Sequence, residues 1–567
     1  MELNTGDKPL RYTTMYFVSL ALLVASLPLS RFTMSLFQFS TLLFWLWHGV
    51  DTDFLKKYSS ISIFNPLVFT RFLGDVARNI FKALIQKFIE FFRNKPAIAI
   101  SSLFILHIIG LIYTTNFDYA LKDLRTKLPL LLLPLFIATG PRISTRNFYR
   151  ILALFIAAVV AGSIYRLILF LNLPVADSRE LSAHISHIRY SLNAVFAVFI
   201  LLFFVNEKKS ANTGITVLFL LAAVWLVCFM TYMNYTTGML IFIVIGVLLL
   251  PLFTRRSTGF WPKTAMFLGI GMLIILPIIY VFSVGYKYMN IQPVDFSKLD
   301  KFTPRGNSYY NDTVNFKSRK GKWIGLYICD KELRSEWAKR SRISLDGLNA
   351  KQQMTRYTLI KYLASKELRK DAVGMAQLGD TDIRNIENGI DRYDYSRLPG
   401  IRSQVEDFIN SYQRYVEHHD PNSSSMIQRF EYWRTSLLMI RQNPVFGVGT
   451  GDVPNAFKDQ YQKMNTNLAV QNRGHSHNQY LSVTIAFGII GLAWFMIVMF
   501  YPGIKTRSFN NYFYVVFWLI LMISMLTENT IEKQEGVTFY VLFTALMILG
   551  RENAETSERL VTCHTAT

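Results

Sequence analysis

Cysteine is scarce in this chain of 567 residues, which contains only Cys228, Cys329 and Cys563. Their wide separation predicts neither a disulfide framework nor a zinc-binding motif. Charged residues are also few, at 17%, whereas 51% of the residues are hydrophobic and 45 are phenylalanine. This composition argues against an ordinary water-soluble domain and is typical of a polytopic helical membrane protein.

Acidic residues are outnumbered, with 38 Asp and Glu against 60 Lys and Arg, which gives a formal net charge of +22. A surplus of this size can indicate nucleic-acid binding. Here the basic residues cluster between apolar runs, for example in "FLKKY", "PRISTR" and "TRRSTGFWPK". Basic residues accumulate in the cytoplasmic loops of any polytopic membrane protein. The charge therefore predicts a membrane topology and no nucleic-acid partner.

Twelve apolar runs are long enough, or nearly so, to cross a bilayer. They lie at residues 12–30, 33–50, 96–114, 121–139, 149–172, 187–205, 213–231, 237–253, 264–284, 478–500, 511–527 and 536–550. The first run is interpreted as a membrane helix rather than a signal peptide, because no convincing small-residue cleavage site follows it and further spans come at once. The loop charges predict that both termini are cytoplasmic.

The predicted fold is an all-α polytopic membrane protein with about 12 transmembrane helices. Residues 1–285 would hold helices 1–9, residues 286–476 a large, mostly helical periplasmic loop domain, residues 477–550 helices 10–12, and residues 551–567 a cytoplasmic tail. The loop stretch "SQVEDFINSYQRYVEHH" has apolar residues at helical spacing. The predicted location is the inner (cytoplasmic) membrane, with the lipid bilayer as a partner.

Titratable residues stand at the outer end of the tenth predicted span, in "RGHSHNQYLSVTIAFGIIG". On a helical wheel, His477, Leu481, Thr484, Gly488 and Gly491 share one face. Two glycines three apart predict the close approach of another helix, so His477 would point into the outer mouth of the bundle. Ionisable groups in such places are candidates for function, although a hydrogen-bonded interfacial histidine is the simpler interpretation.

The pattern from His477-Asn478 through nine residues to Gly488 and then Gly491 resembles that of the O-antigen ligase and O-antigen polymerase superfamily. The preceding stretch "RFEYWRTSLLMIRQNPVFGVGTGD" is similar to the same family. As in that family, the histidine is preceded on one outer loop by an arginine (here Arg429), a tryptophan four residues later (here Trp433), and a proline followed by Gly-x-Gly. The motifs cover about 65 residues, and the layout of spans agrees along the whole chain.

The resemblance implies glycosyl transfer at the periplasmic face without a metal or another cofactor. The donor would be an undecaprenyl-pyrophosphate-linked glycan, and the acceptor a sugar hydroxyl of lipid A-core. His477 would act as base or orienting group and Arg429 as a pyrophosphate ligand, since arginine binds phosphate through bidentate hydrogen bonds. Asn478, His475, Trp433, Gly488 and Gly491 would support them. For Arg429, an ordinary surface position on an amphipathic helix stays open.

One expected feature is missing. Ligases of this type usually carry a second arginine in a Ser-Arg-Gly-like turn, and the corresponding place here holds Thr236-Thr237-Gly238. Arg189, at the outer end of the sixth span in "HISHIRYSLN", is the predicted substitute contact for the anion. The alternative is that Arg189 reaches toward lipid headgroups.

Other signals are weaker. His184, His187, His475 and His477 could be imagined as metal ligands, but no carboxylate partner is identifiable, and no metal is predicted. "GVGTGD" lacks the lysine of a nucleotide-binding loop. Arg166 is the clearest charge within an apolar run and predicts a partner across the bundle.

Several functions remain open from the sequence. An O-antigen ligase is favoured because the histidine follows a long outer loop containing the Arg-x-x-x-Trp helix. An O-antigen polymerase would share the motif and the chemistry, and a protein O-glycosyltransferase of the same superfamily is a narrower alternative. A lipid-linked oligosaccharide transporter is disfavoured because no inverted repeat is visible and the spans carry few buried charges.

Overall fold

A computed structural model describes most of the chain. The described residues are 9–51, 58, 66–172, 184–206, 213–254, 279–280, 282–283, 285–286, 294–313, 323–393, 405, 408–409, 411–412, 414–416, 419–422 and 424–550. Within these ranges the protein is nearly all helical, and its β structure is limited to isolated bridges such as that between Phe302 and Ser308.

The chain divides into two compact units. One comprises residues 1–251, 429–466 and 470–567, and the other comprises residues 252–428 and 467–469. The first unit therefore groups part of the predicted loop domain, from residue 429 onward, with the apolar helices. The division into nine helices, a periplasmic domain, three helices and a tail stays a prediction.

The first unit is built from helices, most of which are apolar. Before its first break in the chain it contains the helices Pro9–Ser26, Arg31–Trp47, Pro66–Arg93, Lys95–Ile109, Phe117–Lys127, Pro129–Thr139, Thr145–Asn172, His187–Asn206, Thr213–Tyr232 and Thr236–Thr254 (whose last three residues belong to the second unit). After it come Ser425–Gln442 (whose first turn belongs to the second unit), Val453–Lys463, Gln479–Lys505, Tyr512–Thr527 and Gln534–Ile548.

Four of these helices are long and apolar enough to cross a membrane: Thr145–Asn172, His187–Asn206, Thr213–Tyr232 and Gln479–Lys505. Shorter apolar helices cover most of the other predicted spans, and the ninth, 264–284, lies largely outside the described residues. The total of twelve is not confirmed. The predicted fourth span is instead two helices that meet at Leu128 and Pro129, because proline has no N–H to continue the first helix and is well suited to begin the next.

Aromatic packing places the helix His187–Asn206 at the centre of the first unit. Phe196 contacts Phe155, Phe517 and Phe543, with ring centroids 5.9, 5.3 and 4.9 Å apart. These rings belong to three other helices, and most of the residues of the helix His187–Asn206 are buried. Aromatic pairs in such geometries add to the ordinary burial of apolar surface. Polar groups in the first turns of this helix are therefore held in a well-packed position.

The helix Gln479–Lys505 is broken at Gly488, whose φ of 64° and ψ of −166° are not helical. The amides of Val448 and Gly449 donate to the carbonyls of Ile485 and Ala486, each over 2.9 Å. The amide of Ile489 donates to Pro444 O, also over 2.9 Å. The break thus hydrogen-bonds to the loop 444–449, which is the Pro-x-x-Gly-x-Gly segment of the sequence.

The expectation that Gly488 and Gly491 allow another helix to approach is therefore wrong. A Cβ on Gly488 would lie 2.0 Å from Val445 O, and one on Gly447 would lie 2.5 Å from the backbone of Ala486. A Cβ on Gly491 would instead meet Phe487 of its own helix, 2.1 Å away. The glycines permit contact between a loop backbone and a broken helix. A wheel drawn on a continuous helix could not reveal this arrangement.

The second unit has a core of its own. Its helices are Asp330–Ala338, Thr355–Ser365, Ala372–Ala376 and Asp380–Glu387. Leu333, Trp337, Leu359, Leu363 and Ile386 are buried together between them. Part of the predicted amphipathic stretch at residues 403–419 lies outside the described residues.

Candidate functional site

The candidate site is centred on Glu528, in the short loop between the helices Tyr512–Thr527 and Gln534–Ile548. Its side chain is 8% exposed. Arg429 Nη2 donates to Glu528 Oε1 over 2.7 Å, and His477 Nδ1 lies 3.5 Å from Glu528 Oε2. Arg429 and His477, predicted from separate motifs, therefore meet on one carboxylate.

Arg429 is held by the helix Ser425–Gln442, within its second turn. The side chain is 22% exposed. The sequence left open an ordinary solvent-exposed arginine at this position. Its ion pair with a mostly buried carboxylate instead fixes the guanidinium at the site, where an arginine can still offer further N–H donors to an anion.

His477 precedes the helix that the sequence placed it on. Its φ of 45° is in the left-handed region, which costs a non-glycine residue about 1–2 kcal/mol. The helix begins at Gln479 and is capped by Asn478, whose Oδ1 accepts from Leu481 N over 3.1 Å. The prediction that His477 shares a helical face with Leu481 and Thr484 is therefore wrong, because the capping turn redirects the imidazole.

Stacking fixes the plane of the imidazole. The rings of His477 and Tyr432 lie 5.5 Å apart at an interplanar angle of 22°, and Tyr432 donates its hydroxyl to Asn472 O over 2.6 Å. His477 Nδ1 is buried and, at 3.5 Å, too far from Glu528 for a good hydrogen bond. Because the whole side chain is nevertheless 42% exposed, the rest of the ring is accessible to a ligand.

Arg189 reaches the same loop from the central helix. The residue is 6% exposed, and its Nη2 donates to Asn529 O over 2.6 Å. Its Nη1 is buried without a hydrogen-bond partner among the described residues. The alternative of an arginine extended toward lipid headgroups does not fit this burial, because the guanidinium is enclosed next to Glu528.

Hydrogen bonds from the start of the helix Gln479–Lys505 fix the loop that carries Glu528. Asn478 Nδ2 donates to Leu526 O over 3.0 Å, and Gln479 Nε2 donates to Glu532 Oε1 over 3.0 Å. Ser476 and Ser482 each donate to Asn529 Oδ1, over 3.2 and 3.1 Å. The residues around His477 thus position the loop as well as the histidine.

Positive charge is in excess around Glu528. Burial by itself would raise the pKa of Glu528, but His477, Arg429 and Arg189 outweigh it and hold that pKa below its usual value. Two neighbouring acids have their own cations, since Glu532 of the same loop pairs with Lys127, and Glu535, in the first turn of the following helix, pairs with Arg31. One carboxylate therefore faces two arginines and a histidine, and the site is suited to bind an additional anion.

Sequence reasoning missed Glu528, Asn529 and Tyr432. A usable signal was the stretch "TENTIEKQEG", which the topology predicted to lie on the same side of the membrane as His477. Three acids within eight residues of a short outer loop are unusual in such an apolar region. Tyr432 carried no comparable signal, since tyrosines on an amphipathic helix are usually part of its packing.

The other predicted supporting residues lie outside this contact set. His475 packs edge-on against Phe457, with centroids 5.3 Å apart, and Trp433 packs against Phe430 at 6.4 Å. Gly238, in the turn expected to carry the second arginine, packs against the helix of Arg189. A Cβ on Gly238 would lie 2.5 Å from Ser191 Cβ. The turn Thr236-Thr237-Gly238 is therefore packed against the helix that carries Arg189.

The remaining charged candidates are internal to the bundle. Arg166 donates to Ile185 O over 2.7 Å, and its guanidinium lies 4.4 Å from the ring centroid of Tyr190. Its contacts are therefore made by the helix His187–Asn206 and by the segment just before that helix.

The part of the chain that the structure describes contains no cluster of three or more His, Cys, Asp or Glu residues able to hold a metal ion.

Comparisons with known proteins match the part of the chain that contains Arg429 and His477. A family model described as O-antigen ligase matches residues 395–496, which include the helix of Arg429 and the His-Asn motif. A protein of Haemophilus influenzae (strain ATCC 51907 / DSM 11121 / KW20 / Rd), named "Uncharacterized protein", is 22% identical over 158 residues, which cover 26% of this chain and 39% of that protein. The chain thus matches about two fifths of the length of this curated relative. The apolar helices and the family match together indicate a multi-pass membrane protein, and residues 395–496 of the chain are similar to the O-antigen ligase family.

Proposed function

We propose that this protein is an O-antigen ligase, which transfers a glycan from undecaprenyl pyrophosphate to a sugar hydroxyl of lipid A-core. The observation that carries the proposal is the convergence of Arg429 and His477 on Glu528, with Arg189 bound to the adjacent Asn529. The reaction would take place at the periplasmic face of the inner membrane, as the loop charges predict.

Arg429 and Arg189 would bind the donor's pyrophosphate. Departure of the lipid pyrophosphate leaves negative charge on its oxygens, and guanidinium groups fixed in a partly buried site stabilise such charge. Arg189 Nη1, which is buried without a hydrogen-bond partner among the described residues, supplies an unused donor. A bound pyrophosphate would share or replace the contact that Arg429 makes with Glu528.

His477 would accept the proton of the acceptor hydroxyl. The acceptor oxygen forms a bond to the anomeric carbon of the donor glycan, the bond from that carbon to the pyrophosphate oxygen breaks, and the proton passes to the imidazole. The exposed part of the His477 ring and its stacking on Tyr432 suit this role. Positioned general bases typically contribute a factor of about 10²–10⁴.

Glu528 would hold both catalytic side chains in place when no donor is bound. Its carboxylate satisfies Arg429 and lies next to the buried Nδ1 of His477. Glu528 is therefore proposed to position Arg429 and His477 rather than to react itself.

The test is to replace His477 with Ala and examine the lipopolysaccharide of the cell. Loss of a ligase leaves bare core together with accumulated lipid-linked polymer, whereas loss of a polymerase leaves core capped with one repeat unit. His419→Ala, an exposed histidine of the second unit, is the matched control and should leave the profile unchanged. An unchanged profile in His477→Ala cells, with the variant present in the membrane, would rule out both enzymes.

The polymerase remains the second candidate, because the family match and the proposed chemistry are compatible with both reactions. The two differ in the acceptor, which is lipid A-core for a ligase and another lipid-linked repeat unit for a polymerase. The same lipopolysaccharide profile distinguishes them. A protein O-glycosyltransferase would leave the profile unaffected and alter a glycoprotein instead.

A further inference from the structure

The helix Pro66–Arg93 carries a pattern that the proposed reaction does not use. It has 28 residues, and its apolar and charged residues lie on different sides. By spacing and burial its surface divides into three strips: one packed against the bundle, one apolar and exposed, and one basic and exposed. A membrane-crossing helix would be apolar all around, so this helix has another environment.

The packed strip attaches the helix to the first unit. Ala83, Lys87 and Phe91 are buried at spacings of four residues. Lys87 Nζ donates to the carbonyl oxygen of Trp45 and lies 4.4 Å from the centroid of the Trp45 ring. The helix is therefore fixed along one side to the helix Arg31–Trp47.

The second strip is apolar but exposed. Phe81, Ile85, Phe88 and Phe92 follow one another at offsets of 4, 7 and 11 residues, so they lie along one line of the helix surface. They are 63%, 46%, 44% and 67% exposed. A continuous row of such side chains is not stable against water and indicates contact with lipid or with another apolar surface.

The third strip is basic and borders the apolar one. Arg71, Arg78 and Lys82 lie at offsets of 7 and 11 residues and are all exposed. Asp75 falls between them, is less exposed, and lies 3.8 Å from Arg78 while accepting the hydroxyl of Tyr58. The strip as a whole is therefore positive, as expected of a surface that meets anionic phosphate groups.

The helix Pro66–Arg93 ends just before an apolar helix begins. Asn94 alone separates it from the helix Lys95–Ile109, and Asn94 Oδ1 caps that helix by accepting from Ala97 N over 3.2 Å. An apolar helix of the bundle begins near the boundary of the bilayer. The C-terminal end of the helix Pro66–Arg93 is therefore close to the same boundary.

We propose that the helix Pro66–Arg93 lies in the membrane–water interface and binds anionic phospholipids of one leaflet. Phe81, Ile85, Phe88 and Phe92 enter the acyl region, and Arg71, Arg78 and Lys82 bind headgroup phosphates. The sequence-based topology predicts that this is the cytoplasmic leaflet, opposite to the proposed active site. The basic residues beside the apolar row favour lipid as the binding partner, because lipid headgroups carry phosphate. An apolar protein surface would not require basic residues next to it.

Site-directed spin labelling of the whole protein in vesicles tests the proposal. Cys228 and Cys563 are replaced by Ser, while Cys329, which is buried, is retained. Nitroxide labels are placed at Phe81→Cys and Phe92→Cys, and at Phe302→Cys as a control. Phe302 is 63% exposed, as is Phe81, but belongs to the predicted periplasmic loop domain, residues 286–476, which would lie outside the membrane.

Labels at positions 81 and 92 should be accessible to oxygen and protected from a water-soluble nickel complex, whereas the control label shows the reverse. Access of the nickel complex to positions 81 and 92 would overturn the proposal, because the row would then face water. Protection from both reagents would also overturn it, because it would indicate contact with protein, including a second copy of this chain.

The charge requirement is tested in the same preparations. In vesicles containing phosphatidylglycerol, the label at position 81 should lie deeper than in vesicles of phosphatidylcholine alone. Arg78→Gln with Lys82→Gln should abolish this difference, while Lys361→Gln, a charge removal in the second unit, should preserve it. If the label at position 81 lies equally deep in both kinds of vesicle when Arg78 and Lys82 are unaltered, the binding of anionic headgroups is refuted.

Discussion

Arg429 donates to Glu528 over 2.7 Å although 99 residues separate the two in the chain. The contact joins the helix Ser425–Gln442 to the loop before the helix Gln534–Ile548. His477 approaches the same loop from the turn before the helix Gln479–Lys505, and Arg189 approaches it from the helix His187–Asn206. The candidate site is therefore a meeting point of four segments, and its single carboxylate organises three cationic or titratable side chains.

Glu528→Gln should lower the rate of glycan transfer about tenfold or more. The amide preserves the shape of the side chain but removes the charge that pairs with Arg429 and faces His477 Nδ1. One lost charge-assisted contact corresponds to about 1.5–3 kcal/mol. Transfer is measured in membranes with a lipid-linked donor, and Glu528→Asp serves as the control that retains the charge. Equal rates for the Gln variant and the unaltered protein would remove Glu528 from the proposal.

The same substitution should change how stability depends on pH. The pKa of Glu528 is lower in the folded protein than its usual value, so its contribution to stability is present above a pH of about 4.3 and is lost as pH falls through the folded-state pKa. Thermal unfolding in detergent, followed from pH 7 to pH 3, should show a weaker loss of stability on acidification for Glu528→Gln. An identical slope for both proteins would contradict this assignment.

Arg429→Ala and Arg189→Ala should both reduce transfer by about 100-fold or more, because each removes a fixed donor for the pyrophosphate. Lysine at either position should restore part of the activity, since it keeps the charge but not the planar arrangement of donors. The rates are compared at saturating and limiting donor. If Arg189→Ala is fully active while Arg429→Ala is inactive, Arg189 does not replace the missing second arginine.

Tyr432→Leu should lower transfer about 2- to 10-fold, because it removes the ring on which His477 stacks. Tyr432→Phe preserves the stacking and loses only the hydrogen bond to Asn472 O, so it should be closer to the unaltered protein. Assays with both variants at several pH values separate the two contributions. A larger defect in Phe than in Leu would show that the hydroxyl matters more than the stacking.

Gly488→Ala should destabilise the protein by at least about 2 kcal/mol, because Gly488 has a φ of 64° and a Cβ there would lie 2.0 Å from Val445 O. Gly246→Ala is the matched control, since a Cβ on Gly246 meets nothing within 4 Å and alanine favours a helix. Thermal unfolding of both variants is measured in detergent. A stable Gly488→Ala protein would mean that the loop 444–449 can move away from the break.

Most of the apolar helices could be predicted from the sequence, because lipid requires long apolar runs and positive loops. Arg429 and His477 were identified by their resemblance to the family motif, and Arg189 by its position at the outer end of the sixth predicted span. The break at Gly488 could not be predicted, since it depends on the backbone of a loop about 40 residues away in the chain. The same is true of the interlocking of Gly447 with that break.

The sequence by itself determined the apolar character of the helices, the family motifs and the types of side chain available for the chemistry. Only the tertiary structure decided that Glu528 pairs with Arg429 and lies next to His477, while Arg189 binds the adjacent Asn529, because these contacts require segments from distant parts of the chain to lie side by side. It also decided the direction of His477, through a left-handed residue and an asparagine cap that a helical wheel does not represent. Local patterns specify helices and residue types, whereas long-range packing specifies the site.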